Sequence, residues 1–204
     1  LECQINQTCC FDRKNYYYPD LPKNYQISQD YMNLGVDGAL EIPVDEGLKR
    51  VGITNVHLEE DAGKNVHATA GADYSLVDLN RAGTPLLEIV SEPDMRSVAE
   101  ADAFMHTLRR LLMYARVSDC RMEEGSLRFE PSISLRPKGS EGFGPRVEIK
   151  NVNSMKAVVG ALGYEIRRQT KLMNDGKEVD METRLWDANR GRTARMRSKE
   201  EAHD

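Results

Sequence analysis

The run LVDLNRAGTPLLEIVSEPD, from Leu76 to Asp94, sets the reading of this chain. Leu86 to Ser91 is an apolar segment of strand length, with the turn signal Gly83-Thr84-Pro85 before it and Pro93 after it. One carboxylate, Glu88, stands inside it, flanked by Leu86, Leu87, Ile89 and Val90. A carboxylate in such a segment is costly to bury unless a cation balances it. Two more acidic runs lie close in sequence: HLEEDAGK, His57 to Lys64, and MEEGSLRFE, Met122 to Glu130. Magnesium takes hard oxygen ligands and bridges to substrate phosphates, so the pattern points to phosphoryl chemistry.

Upstream of this run, Gly38 to Glu60 reads as two strands joined by a hairpin turn at Asp45-Glu46-Gly47. Residues 11–35 are rich in Tyr, Asn, Pro and Asp and read as irregular turns and short strands, and residues 65–75 read as a mobile loop. Downstream, Ser97 is an N-cap with Glu100 completing a capping box, and apolar positions at helical spacing predict a helix over Val98 to Val117. Met122 to Arg136 alternates like a long strand, and Arg146 to Asn151 repeats the pattern. A second helix is expected from after Ser154 to about Asn174, with Gly176 beyond its end. Thr183 to Trp186 and Thr193 to Met196, turned at Ala188 to Gly191, form a closing hairpin. The order lacks the regular β-α-β alternation of a doubly wound sheet. It predicts an α+β fold: a largely antiparallel sheet with helices packed on one face and charged side chains on the other.

With 204 residues, 40% hydrophobic and 30% charged, the chain fits one ordinary globular domain. No apolar run approaches a membrane span, and the first residues are unlike a secretory signal. The net charge of −5 argues against broad affinity for nucleic acid. Arg190, Arg192, Arg195, Arg197 and Lys199 nevertheless form a local basic stretch, either a solvated hairpin or a phosphate-facing edge. Cys3, Cys9, Cys10 and Cys120 make no CxxC pair, and adjacent Cys9-Cys10 suits neither a zinc knuckle nor a disulfide framework, so free thiols in a reducing compartment are expected. The chain starts at Leu1 and stops in a charged run at Asp204, which reads as a fragment.

Strand alternation projects Glu60, Glu88, Glu130 and Glu148 to one side, with Arg128 and Lys150 on the same face. Carboxylates that hold magnesium, beside cations that take phosphoryl charge, are what ATP-dependent activation of a carboxyl group needs. No GxxxxGK[ST] loop is present, which excludes a P-loop mechanism. Plainer roles compete. Arg128 and Glu130 read equally as a surface ion pair. Asp78, Asn80 and Arg81 read as easily as caps of the turn at Gly83-Thr84-Pro85 as ligand contacts. His57 reads as a hydrogen-bonded structural histidine, and Tyr16-Tyr17-Tyr18 as rings packed on a sheet edge rather than a platform for a nucleobase.

The segments Phe11–Gln29, Gly52–Lys64, Leu76–Asp94, Val117–Arg128, Arg146–Ser154, Glu182–Asp187 and Met196–Asp204 resemble GatB, the B subunit of the aspartyl/glutamyl-tRNA amidotransferases, across essentially the whole chain. The resemblance implies a ligase subunit with a cradle like the glutamine synthetase fold. It implies the use of ATP and magnesium to phosphorylate the side-chain carboxyl of Glu on tRNA(Gln) or Asp on tRNA(Asn). In the implied cytoplasmic heterotrimer, the A subunit supplies ammonia from glutamine and the small C subunit holds the assembly together. Carried over by motif, Glu60 and Glu88 match magnesium-site carboxylates. Glu60, Glu88, Arg128 and Lys150 are the expected catalytic set, and Glu124, Glu130 and Glu148 are expected to contact the nucleotide. The family pattern LRCDANVSVRP stands here as LRFEPSISLRP, Leu127 to Pro137, with Glu130 at an Asp position and Ser132 at an Asn position. The resemblance also implies a Glu-x-His metal-site pair before this stretch and tRNA-gripping helical and tail domains after it, so residues 1–204 would be a single, incomplete cradle. A non-catalytic tRNA-binding scaffold and the tRNA(Gln)-specific sister GatE are the alternatives.

Overall fold

A computed structural model of the protein describes residues 1–67 and 74–196. The chain divides into two compact units, residues 1–95 and 96–204.

The first unit holds β1 (Gln4–Ile5), β2 (Asp12–Asn15), β3 (Tyr25–Ser28), β4 (Gly35–Val44), β5 (Gly47–Glu60), β6 (Lys64–His67), β7 (Ser75–Asp78) and β8 (Pro85–Ser91). β4 and β5 form the expected hairpin, closing on Val44 opposite Gly47, where φ of +117° suits glycine. With β1 and β8 they make an antiparallel sheet in the order β1-β4-β5-β8. Leu40, Ile42, Val51 and Ile53 are buried on its inner side, the period-2 pattern of a half-covered sheet. The expected loop over residues 65–75 is partly strand: β6 pairs antiparallel with β7, and the segment between them lies outside the described residues.

A β-bulge interrupts β5. Ile53 pairs with Ser91 but Asn55 pairs with Val90, which leaves Thr54 extra. Across from it in β4, Asp37 adopts φ of +52°. An inserted residue reverses the alternation beyond it. Val51 and Ile53 face the core before the bulge and Val56 after it, so Asn55, His57 and Glu59 turn to the opposite face.

The second unit holds α1 (Val98–Tyr114), β9 (Ser132–Ile133), β10 (Val147–Lys150), α2 (Met155–Asn174), β11 (Glu182–Asp187) and β12 (Arg192–Arg195). Both helices start at the expected serines: Ser97 Oγ accepts from the Glu100 amide and Ser154 Oγ from the Ala157 amide. α2 stops as expected, because Gly176 at φ of +68° lets the Gly176 and Lys177 amides bond back to Met173 and Leu172. α1 ends three residues before Val117 by the same device. Here Arg116 takes the left-handed position at φ of +58°, so no glycine marks the stop.

The sheet order is β12-β11-β10-β9. β10 and β11 run parallel and are joined through α2, a single β-α-β unit inside an otherwise antiparallel arrangement. The structure is thus α+β, but with separate sheets and one parallel pair rather than a single largely antiparallel sheet. α2 lays Val158, Ala161 and Leu162 against Ile149 and Trp186. Gly160 permits this approach, since a Cβ there would meet the Trp186 ring at 3.2 Å. The long strand expected over Met122 to Arg136 does not form; only Ser132 and Ile133 pair. Asp119 and Ser126 hydrogen-bond the Arg121 amide, Gly125 sits at φ of +79°, and Pro131 has no amide to give a ladder.

Candidate functional site: a cation cluster and a basic pocket

The end of β5 runs past the end of β4, where a strand edge would leave its backbone groups unpaired. Two glutamine side chains from the β3 region take the place of the missing strand. Gln29 Oε1 accepts from the Leu58 amide at 2.9 Å, and Gln26 Nε2 donates to the Glu60 carbonyl at 2.7 Å. Both glutamines are buried. They hold residues 57–60 extended against β8. Gln29→Leu would strand a backbone donor, and a loss of about 1–3 kcal/mol in the first unit is expected in urea unfolding; an unchanged midpoint would mean that water replaces the bond.

The bulge and the β5–β8 register bring three side chains together. His57 pairs directly with Glu88, and Glu59 lies two residues on, on the same face. His57 Nε2 lies 3.4 Å from Glu88 Oε2 and 3.9 Å from Glu59 Oε2. One ligand atom from each of the three residues falls within 4.8 Å of the others. Among the described residues this is the one such group of three or more. His57 Nδ1 sits 2.9 Å from Asn55 Oδ1, a contact that fixes the ring with Nε2 toward the two carboxylates. Ser28 Oγ donates to Glu59 Oε2 at 3.4 Å. Burial, and then the charge of Glu88, push the Glu59 carboxyl above its ordinary range, against the opposing pull of His57, Lys14 and Ser28. Two carboxylates and an imidazole lone pair converging on one point fit a divalent cation, whose opposite ligands stand about 4 Å apart.

The expectation that Glu60 and Glu88 share a face is corrected. Glu60 pairs with Pro85 and points to the side away from His57 and Glu88. Its carboxylate accepts the Ile27 amide at 2.7 Å and forms an ion pair with Lys23. Burial alone would raise the Glu60 carboxyl, but these partners hold it below the ordinary range. It ties β3 to β5. His57, read as structural, belongs to the cluster. The signal was present as His57-x-Glu59, since residues two apart share a strand face. Asp78 accepts from the amide and side chain of Asn80, a local turn ahead of the one at Gly83-Thr84-Pro85. The tyrosine run does not pack on a sheet edge throughout: Tyr17 and Tyr18 are exposed, and only Tyr16 is partly covered.

In the second unit, Arg128, Glu130 and Lys150 gather with Phe129, Asn151 and Asn153 around a cavity of about 180 Å³. Asn151 has φ of +64°, the left-handed turn that carries the chain from β10 towards α2, and its side-chain Nδ2 donates to the Trp186 carbonyl at 3.0 Å. Glu148 lies on the same β10 face as Lys150, with Lys150 Nζ at 3.6 Å and the Thr183 hydroxyl at 3.2 Å. Glu124 is not brought into this group; it sits in an exposed turn, paired with Arg121 at 2.9 Å. In the basic stretch Arg190 lies 3.7 Å from Asp187 and Arg195 3.6 Å from Glu182, while Arg197 and Lys199 lie outside the described residues. All four cysteines are free, as expected.

The chain is thus of the α+β class, with a carboxylate–imidazole cluster on one unit and an Arg/Lys/Asn pocket on the other. The comparisons narrow this. The GatB/GatE catalytic domain model matches residues 1–204, without a break at the division between the two units. The chain belongs to that family. It is 56% identical over 206 residues to the aspartyl/glutamyl-tRNA(Asn/Gln) amidotransferase B subunit of Carboxydothermus hydrogenoformans. It is 57% identical over 205 residues to that of Moorella thermoacetica. Each match covers 100% of this chain and 43% of the relative, so the chain spans less than half the length of these curated relatives.

Proposed function

We propose that this chain is the catalytic cradle of the GatB subunit of a tRNA-dependent amidotransferase, with the glutamine synthetase-like architecture that role implies. Its reaction is ATP-dependent phosphorylation of the side-chain carboxyl of Glu on tRNA(Gln) or Asp on tRNA(Asn). The carboxylate oxygen bonds to the γ-phosphorus as the bond to ADP breaks, and ammonia then displaces phosphate to leave the amide. The full-length protein works in the cytoplasm with the A subunit, which releases ammonia from glutamine, and with the C subunit. No described helix is long and apolar enough to cross a membrane.

The observation that carries this reading is the convergence of His57, Glu59 and Glu88 in a chain of this family. These three are the residues that would hold magnesium. When bound, magnesium supplies charge neutralisation for ATP phosphates. Glu88 keeps its proposed role, while Glu59 and His57 take the place first given to Glu60. Ser28 and Asn55 orient Glu59 and His57. In the second unit, Arg128 and Lys150 offer cations to a phosphate group, with Asn151 and Asn153 as amide donors beside them. Glu130 lines that pocket and limits how much anionic charge it accepts.

The test is calorimetric titration of the full-length protein, in its heterotrimer with the A and C subunits, with a non-hydrolysable ATP analogue at several magnesium concentrations. Binding that tightens with magnesium is the expected result. Binding of the analogue indifferent to magnesium, or none, would sink the reading in favour of a scaffold that holds tRNA without activating it.

A further inference from the structure

A groove of about 460 Å³ runs along one side of α2 and around the turn that follows it, lined by Tyr164, Arg167, Arg168, Lys171, Asp175 and Lys177 among others. It lies wholly in the second unit and shares no residue with the Arg128–Asn153 pocket.

Its cations are not accounted for by structure. Arg168 is: it binds Glu165 at 2.8 Å and Glu182 at 3.2 Å. Arg167, Lys171 and Lys177 are exposed, and among the described residues none of them makes an ion pair with a carboxylate. Arg167 and Lys171 are four apart on one helix face, where like charges repel by a few tenths of a kcal/mol. A helix face that is only solvated normally mixes the two signs. α2 carries one acid, Glu165, and it is fully buried, so the exposed side of the helix is cationic throughout, in a chain of net charge −5. The helix dipole explains Lys171 in the last turn. It does not explain Arg167, two turns before the end, or Lys177 beyond the Gly176 turn. Asp175 lies among them and still leaves the groove cationic.

The arrangement is a line, not a point. Arg167 and Lys171 are about 6 Å apart along the helix axis, and the turn at Gly176 brings Lys177 onto the same groove. Tyr164 heads the line, its ring fixed edge-on to Trp186 with centroids 6.5 Å apart. A row of cations beside an aromatic ring suits a chain of phosphates carrying bases better than a compact anion.

We propose that this groove binds the phosphodiester backbone of an RNA strand, apart from the site of carboxyl activation. The choice of RNA over an acidic protein segment rests on the reading that the protein works on tRNA.

The test measures fluorescence anisotropy of a labelled tRNA transcript with the full-length protein in its assembled complex, across a potassium chloride series. Arg167→Gln with Lys171→Gln should weaken binding by about tenfold and flatten the slope of log affinity against log salt by about 1.4–1.8. The charge-keeping pair Arg167→Lys with Lys171→Arg should bind as the parent does. Both side chains are exposed and unpaired, so the thermal midpoint should not move in either variant. Unchanged affinity and slope in the neutral variant would overturn the proposal. So would unchanged RNA binding with a partner subunit lost on size exclusion, which would make the groove a protein contact. Failure of the activation reading looks different: the parent complex would bind tRNA with the salt slope intact and show no magnesium-dependent ATP binding.

Discussion

If the proposed magnesium site is right, Glu59→Gln in the full-length, assembled protein is expected to lower carboxyl activation by about 10²–10³-fold, a loss of several kcal/mol. Glu60→Gln, one residue along, should leave magnesium affinity within about threefold while loosening the contact of β3 with β5. The contrast follows from the register: Glu59 faces His57 and Glu88, whereas Glu60 faces Ile27 and Lys23. Glu88→Gln should resemble Glu59→Gln. Magnesium titration of the three variants checks this, with tRNA affinity as the control that must not change. If Glu60→Gln abolishes magnesium binding and Glu59→Gln spares it, the facing of β5 is the reverse.

The same site should respond to pH in a particular direction. Burial and the charge of Glu88 raise the Glu59 carboxyl, and a cation must displace its proton to bind. Magnesium affinity should therefore begin to fall at a pH above the ordinary carboxylate range as the solution is acidified. Without metal the sign for stability is the opposite. A group whose folded pKa is raised contributes stability at low pH that is lost as pH rises through that folded value.

Glu165→Ala is expected to destabilise the second unit by about 2–4 kcal/mol, because it removes one of the two carboxylates that balance the largely covered Arg168 and Arg184 and leaves Glu182 alone with both. Glu165 is 0% exposed and accepts from Arg168 at 2.8 Å, Arg184 at 3.1 Å, Gln169 at 3.0 Å and the Thr193 hydroxyl. Glu182 bridges Arg168 and Arg184 from β11, so one network ties α2 to β11 and β12. A loss of this size is a large share of the stability of a domain of about 100 residues. Chemical unfolding of the full-length protein, followed through Trp186, reads it directly; a loss below about 1 kcal/mol would mean that the network is hydrated and carries little. Replacing Glu165, Glu182, Arg168 and Arg184 together with apolar residues of similar volume should cost far less than the sum of their single replacements.

The network also predicts acid lability. Burial alone would raise the Glu165 carboxyl, but hydrogen bonds from Arg168, Gln169 and Thr193, with the charge of Arg168, hold it below the ordinary range. A depressed carboxylate contributes stability that is present above its unfolded pKa and lost as pH falls through the folded one. The second unit should therefore weaken progressively on acidification below the ordinary carboxylate range.

Much of the fold was legible in local chemistry. Ser97 and Ser154 marked helix starts because a side-chain oxygen there satisfies an orphan amide, and Gly176 marked a stop because it enters the left-handed region at little cost. The β4–β5 turn and the alternation of Val147 and Ile149 with Glu148 and Lys150 were equally readable, since period and turn residues act over a few positions. The end of α1 was not, because Arg116 takes the strained position that sequence patterns assign to glycine.

The candidate site divides along the same line. Its residue types were evident from sequence: Glu88 in an apolar run, and acids after His57. Which acids meet was not. Counting by twos from Val51 and Ile53 puts Glu59 on the core side and Glu60 outside; one extra residue at Thr54 reverses both, and its one trace in the sequence is the three-residue step from Ile53 to Val56. The clasp of Gln26 and Gln29 on β5, and the gathering of Arg128 and Glu130 with Lys150 to Asn153, likewise depend on contacts between segments far apart in the chain. Sequence by itself determined the family, the helices and the chemical character of the site. Only tertiary structure decided its membership, because strand register is set by pairing between segments that local propensity does not encode.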